Sequence, residues 1–351
     1  MNILTSLYAV LGITVVVIIH ELGHYLVARA FKMRVLRYSL GFGPVIAKYQ
    51  PKGSPTIFQI CALPILAYVQ IDGMNPAEEN DPKDPELFCN KSAFARLMVI
   101  LAGPMANYLA ASLIVFGLYA IGGKPEEDLT GALVITQVTV DSPASRAGIV
   151  PRDEIFEANG VPVHVQDDLA NVTRVRAGQP TVYRVRRDGV ELPAITITPM
   201  QTEATATEPA RGIIGILGEP TLRFVDAPLN ELLLVAVELP ISVTMMQIAG
   251  VTNMVRNLTL AGIGGPRQMV EHVAAQAERG VRYYVFSLFN LSIALGFFNL
   301  LPIPALDGGR AMFVLVEAVT RRKLNAKLET IATLVGFATL ISLIVFVSFR
   351  G

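Results

Sequence analysis

Four stretches of this sequence, Ile3 to Val27, Leu97 to Ile121, Tyr283 to Leu306 and Ile331 to Phe349, are long and apolar enough to cross a lipid bilayer. Crossing the hydrocarbon core takes about 20 helical residues, and backbone polar groups in lipid must be satisfied internally, so helices are expected there. The fold class that follows is a mainly α-helical polytopic membrane protein with four transmembrane helices. A fifth stretch, Leu229 to Val251, is interrupted by Glu231, Glu238 and Pro240 and reads as amphipathic and interfacial. Composition agrees with a membrane chain: 52% of the residues are hydrophobic and the mean hydropathy is +0.49. With 29 basic and 29 acidic residues there is no electrostatic footprint for nucleic acid, which is set aside as a partner.

The loops orient the chain. Arg29, Lys32, Arg34, Arg37, Lys48 and Lys52 follow the first stretch, and Arg321, Arg322, Lys323 and Lys327 follow the third. Both segments are expected on the cytoplasmic side, with the long middle segment and both termini opposite. The first stretch has no basic side chain ahead of it and no small-residue cleavage motif after it, so it is read as a retained anchor. Cys61 and Cys89 lack the spacing of a disulfide framework or a cysteine metal site.

His20-Glu21-Leu22-Gly23-His24 is an HExxH motif near the end of the first stretch. On a helix its histidines lie one turn apart on one face, so both imidazoles can ligate one Zn²⁺, and Glu21 can activate a metal-bound water as nucleophile. Ionisable groups on a membrane span are expensive and point to function. A catalytic zinc normally takes three protein ligands. The best candidate for the third is Asp307, in the run Asn299-Leu300-Leu301-Pro302-Ile303-Pro304-Ala305-Leu306-Asp307-Gly308-Gly309, at the same expected depth. Its prolines break a regular helix, and irregular backbone at membrane depth is tolerated where protein buries it or it lines a wet cavity. A helix-ending Asp-Gly turn is the plain alternative for this segment taken alone.

Together HELGH, the Ala102-Gly103-Pro104-Met105-Ala106-Asn107 run and NLLPIPALDGG resemble the site-2 protease family of intramembrane zinc metalloproteases, peptidase family M50, in particular bacterial members of the regulator-of-sigma-E protease type. The resemblance covers nearly the whole chain, with the motifs in the family's order. It implies that His20, His24 and Asp307 hold Zn²⁺, that Glu21 is the catalytic base, and that Asn299 is a catalytic-site amide. Asn107 is either part of that site or a packing residue between helices.

A helical substrate hides its peptide bonds, and a strand edge can hold it extended by β-augmentation. Tyr38 to Ala47 and Ile57 to Ile71 read as a small hairpin, which the resemblance makes a membrane re-entrant β-region. Cys61, Ala62, Leu63, Ile65, Leu66, Ala67, Tyr68 and Val69 are the candidate docking strand; shielding of the zinc site is an equally good role for the hairpin. Arg267 to Gly280 reads as an amphipathic helix.

Three regions are expected: 1–125 and 221–351 as the halves of the protease core, and 126–220 as an inserted soluble domain of alternating strands and turns. The runs SPASRAG and PRDEIFEANG resemble a PDZ domain of α+β type, circularly permuted because the Gly212-Ile213-Ile214-Gly215 segment comes last. Those four residues are then the candidate loop for a peptide C-terminus, and the domain is a docking site, a size filter or a spacer. There is room for one such domain, where many bacterial relatives carry two.

The expected function is zinc-dependent endoproteolysis within transmembrane segments of single-pass proteins, such as an anti-sigma factor or a signal-peptide remnant, already shortened by another protease. The expected location is the bacterial cytoplasmic (inner) membrane, with the lipid bilayer as surroundings and the active site near the cytoplasmic face. A membrane adaptor with structural zinc would not require Glu21, and a metal transporter would usually show internal repeats or several polar spans.

Overall fold

The computed structural model describes residues 3–78, 80–128, 130–202, 211–257 and 264–350. They form two compact units, Met1–Ile121 with Pro228–Gly351, and Gly122–Ala227.

In the first unit, α1 (Ile3–Ala30) carries no charged side chain before Glu21. It ends where Lys32 takes a left-handed φ of 56° and the Met33 amide reaches back to Ala28 O at 2.8 Å, closing the last turn. The antiparallel strands β1 (Val35–Tyr49) and β2 (Ile57–Ile71) follow. β1 extends beyond the expected Tyr38 to Ala47, β2 has the expected bounds, and the pair curls. Residues 37–40 pair on one side with 67–70 and on the other with 57–60, and 58–60 pair in turn with 47–49. The outer edges of this curled sheet are therefore 67–70 and 47–49. Tyr25 of α1 packs edge-on against Tyr38 and Phe58, tying the hairpin to the helix.

Helix α2 (Ala93–Gly122) starts where the Ser92 hydroxyl accepts the Ala95 amide, and it continues through Pro104. The chain returns to this unit in α5 (Leu229–Arg256), α6 (Pro266–Arg279), α7 (Val281–Leu300), α8 (Asp307–Thr320) and α9 (Ala326–Arg350). Helices α1, α2, α5, α7 and α9 are each long and apolar enough to cross a membrane. Leu7, Leu109, Leu113, Leu334 and Phe337 stand exposed on them, as side chains facing lipid do.

Two points differ from the sequence reading. The stretch Leu229 to Val251 is one continuous helix with Pro240 inside it; Leu239 to Val255 carries no charge, so composition makes it a fifth candidate span. The stretch Tyr283 to Leu306 is not one helix, because Pro302 and Pro304 lack the amides a helix needs and α7 stops at Leu300. As a result α8, and not a short loop alone, separates the third stretch from the fourth.

Helices α1 and α7 run parallel. Tyr284, near the start of α7, donates to Tyr8 O at 2.9 Å, and further along His20 of α1 meets Asp307, which follows the end of α7. Helix α2 runs the other way: Arg282 reaches Leu118 O at 3.5 Å and Ser292 reaches Asn107 O at 2.9 Å.

In the second unit, β3 (Lys124–Glu127) pairs with β13 (Leu222–Val225). A larger sheet joins β4 (Leu133–Val138), β5 (Glu154–Ala158), β6 (Val161–Pro162), β7 (Thr181–Arg187), β8 (Val190–Glu191), β9 (Ile195–Ile197) and β12 (Ile216–Pro220). The short strands β10 (Met200–Gln201) and β11 (Gly212–Ile213) pair separately. Helices α3 (Pro143–Arg146) and α4 (Gln166–Arg174) pack over a core of Leu133, Ile135, Ile155, Leu169, Tyr183 and Val185. Asp188 and Gly189 both take positive φ, 48° and 80°, the geometry that lets a two-residue turn close β7 onto β8.

The fully buried Asp153 is held by Arg187 through two bonds, 2.7 and 2.9 Å, and accepts the Val150 amide at 2.9 Å. Arg187→Met strands that carboxylate. The expected loss is about 2 kcal/mol, the arginine being partly exposed. It is read as a lower urea concentration for proteolytic cleavage within 122–227; an unchanged concentration would show that the pair contributes nothing to this unit.

Candidate metal centre

Helical spacing places His20 and His24 on one face of α1, where both are buried. Asp307, the first residue of α8, comes to them from 287 positions along the chain. Its Oδ2 lies 3.1 Å from His20 Nε2 and 3.2 Å from His24 Nε2, and the two Nε2 atoms are 3.3 Å apart. One ligand atom from each residue falls within 4.8 Å of the others. Such a group of neutral imidazoles and a carboxylate fits a divalent metal with one position left open.

The surroundings support that fit. His24 Nδ1–H donates to Val99 O at 2.8 Å, which fixes the ring and directs the Nε2 lone pair toward the cluster. On the other ring, His20 Nδ1 faces the side chain of Asn107 at 3.2 Å. Glu21, one residue from His20, lies against the backbone of Val69 and within electrostatic reach of both histidines and Asp307. The outer edge of the curled sheet thus runs beside the carboxylate that neighbours the candidate metal ligands.

Close approach of α2 makes this geometry possible. A Cβ on Gly103 would overlap the His24 imidazole, and a Cβ on Gly308 would overlap the carbonyls of Leu300 and Leu301. The segment between α7 and α8 closes through short turns, with the Ile303 amide on Leu301 O at 2.7 Å and the Leu306 amide on Ile303 O at 3.1 Å.

The other residues singled out from sequence are placed as follows. Asn299, in the last turn of α7, donates to Leu295 O at 2.9 Å, within its own helix rather than to the histidine and aspartate cluster. Cys61 is buried beside the Ser39 hydroxyl, whereas Ala62 and Leu63 are exposed. Ile65 and Leu66 lie in β2; Ala67, Tyr68 and Val69 pair with Leu40, Ser39 and Tyr38. In the second unit Ile213 pairs with Met200, Ile214 is buried and accepts the Ala144 amide, and Gly215 takes φ +79°. Gly212 packs against the end of α4, where a Cβ would overlap Thr173 O. The outward groups of edge strand β12 are held by Gln166 of α4: its amide accepts the Gly218 N–H at 2.9 Å and donates to Ile216 O at 3.5 Å. Sequence reasoning gave no role to Gly103 or Val99, although the Gly-Pro pair inside an apolar helix was a signal that something approaches closely there.

Gly103→Ala is expected to push the His24 ring off the cluster and to lower metal retention by about 10-fold or more, the scale seen when ligand orientation is lost. Metal content of the purified variant, measured beside a Gly117→Ala control whose Cβ meets open space, checks this. Equal retention in the two variants would overturn it.

Comparison with known proteins bears on this cluster. The sequence profile of peptidase family M50 matches residues 8–343. A protein of Mesorhizobium japonicum is 30% identical over 95% of this chain and 95% of its own length. One of Nostoc sp. is 30% identical over 98% and 94%, and one of Fusobacterium nucleatum is 32% identical over 93% and 92%. All three carry the description "Putative zinc metalloprotease". Similarity that runs through α1, α2, α7 and α8 includes every residue of the cluster, and by it the chain belongs to peptidase family M50.

Proposed function

We propose that this protein is a zinc-dependent endopeptidase of the site-2 type that hydrolyses peptide bonds in transmembrane segments of single-pass membrane proteins. The observation that carries the reading is the convergence of His20, His24 and Asp307, buried, on helices apolar enough to lie in a bilayer, with Glu21 beside them. Bound there, Zn²⁺ would polarise a carbonyl and acidify water at neutral pH. The chain's own residues do the rest. Glu21 takes the proton of the attacking water and hands it to the departing amine. The edge at 67–70, paired on one side with 37–40, runs beside Glu21 and is where an unwound substrate segment can be held extended. In this reading Asn299 reaches the reacting carbonyl only after its amide leaves Leu295 O.

We read the second unit as a permuted PDZ-type domain on the extracytoplasmic side of the bacterial cytoplasmic membrane. Strand addition at β12 would need the groups that Gln166 holds, so a peptide C-terminus docking at Gly212–Gly215 has first to displace that side chain. A role in excluding substrates that another protease has not yet shortened requires no such displacement.

Four membrane crossings suit the first unit better than five. The second half of α1 meets Asp307, just past the end of α7, at the candidate metal cluster, and the end of α2 lies beside the start of α7. The chain must therefore leave α2 and enter α7 at the same face. If α5 crossed, α6 would have to cross back. With 14 residues, among them Arg267, Glu271, Glu278 and Arg279, α6 is too short and too charged to do so. Helix α5 is accordingly read as entering the membrane without traversing it. With Cys61 and Cys89 replaced, a cysteine at Glu271 is expected to react with an impermeant maleimide from outside the cell, and one at Arg321 only after permeabilisation. Labelling of both from one face would refute the four-crossing topology.

The function itself is tested with purified protein, a labelled single-pass substrate and a bound-metal assay. Glu21→Gln should lower cleavage by about 100-fold or more with zinc content unchanged. Equal cleavage by both proteins would remove Glu21 from the mechanism, and a zinc-free wild type would remove the metal.

A further inference from the structure

We propose that Asn107 is a positioning residue for the metal centre: its side-chain carbonyl accepts the Nδ1–H of His20 and so commits the Nε2 of that ring to the metal. The inference rests on the reading of His20, His24 and Asp307 as ligands. A neutral imidazole that ligates through Nε2 carries its proton on Nδ1, and that proton needs an acceptor. His24 has one in Val99 O. For His20, the group facing Nδ1 is the Asn107 amide, 3.2 Å away.

As placed, the amide turns its NH₂ toward His20, opposing donor to donor in the tautomer that can bind metal. Its Oδ1 is meanwhile buried with no hydrogen-bond partner, in a residue with no exposed surface. The two amide ends are nearly equal in size, and which end points where is decided by the hydrogen-bonding network. Turning the amide over resolves the opposition at His20 and gives the carbonyl the Nδ1–H as its donor, while the NH₂ moves to the place Oδ1 held. A buried amide serving only as filler would be a poor choice, since an apolar side chain of the same shape fills the space without desolvating four hydrogen-bonding sites.

The location suits a positioning role. Asn107 lies on α2 between α1 and α7, and its backbone carbonyl accepts the hydroxyl of the buried Ser292 at 2.9 Å. That bond fixes where α2 stands while leaving the side chain to the histidine. Two different contacts of one residue therefore separate orientation of the ligand from packing of the helices.

Three variants in the full-length protein distinguish these contacts, with zinc affinity measured by chelator competition and folding by thermal unfolding of the metal-free protein. Asn107→Leu, which keeps bulk but offers no acceptor, should bind zinc about 10- to 100-fold more weakly. Asn107→Asp, which keeps an acceptor in place, should stay within about 3-fold of wild type or bind more tightly, as expected of a carboxylate behind a ligating histidine. Ser292→Ala, which removes only the backbone contact, should leave zinc affinity unchanged. The proposal is overturned if Asn107→Leu binds zinc like wild type, if Asn107→Asp loses as much affinity as Asn107→Leu, or if Ser292→Ala matches that loss. A wild type that binds no more zinc than His20→Ala would instead overturn the ligand reading beneath it.

Discussion

Polar side chains that meet inside an apolar bundle need partners on every side, and the rest of this protein's first unit is organised around that requirement. An ionisable group deep in a membrane costs a few kcal/mol unless it is paired or hydrated. His20, His24 and Asp307 meet one another, and the far sides of the two rings meet Val99 O and the Asn107 amide. None of this is reachable unless α2 lies almost in contact with α1. The absence of a side chain at Gly103 allows it, and the bond from Ser292 to Asn107 O ties α7 into the same layer. Chemistry and helix packing therefore meet at the same few residues, at Asn107 through separate contacts of its side chain and its backbone.

The curled hairpin answers a different demand. An edge strand in an apolar setting leaves backbone groups unpaired, which is costly unless something takes them up. Here the backbone of Val69 at the edge lies against Glu21. The folding back of β1 and β2 on themselves makes residues 37–40 and 57–60 the inner, doubly paired segments and leaves 67–70 outermost, next to α1. Most of the segment Cys61 to Val69 thus lies in the bend, with Cys61 buried among Ser39 and Gln59, and Ala67 to Val69 supply the edge.

How much could be read from sequence followed from how local each signal is. The HExxH spacing and the helical period put His20 and His24 on one face without further information, and the prolines before Asp307 announced a break at the depth of those histidines. Helix α5 was less legible because Glu231, Glu238 and Pro240 are concentrated in its first half, where they weigh against a span although Leu239 to Val255 is free of charge. The two-sided pairing of residues 37–40 depends on a bend whose register no alternation reveals. Asn107 was the least legible: an asparagine that packs helices and one that orients a ligand look identical until the partner of its side chain is known. Asn299 shows the converse, since a motif position suggested a catalytic amide and the structure places that amide on Leu295 O.

The break between α7 and α8 shows why the third candidate ligand lies where the helix fails. Ending α7 at Leu300 frees carbonyls at its last turn, and the turns through Leu301, Ile303 and Leu306 recapture part of them. To complete those turns the chain holds Ala305 at φ +85°, a conformation that costs a non-glycine residue about 1–3 kcal/mol. A glycine would relieve that strain but would loosen the backbone two residues before Asp307. The alanine limits the backbone freedom available at that position, and the strain is held by the packing of Gly308 on the carbonyls of Leu300 and Leu301. An unbroken helix through Pro302 to Leu306 would carry Asp307 onward along its axis. The strained turn instead starts a new helix with the carboxylate against His20 and His24.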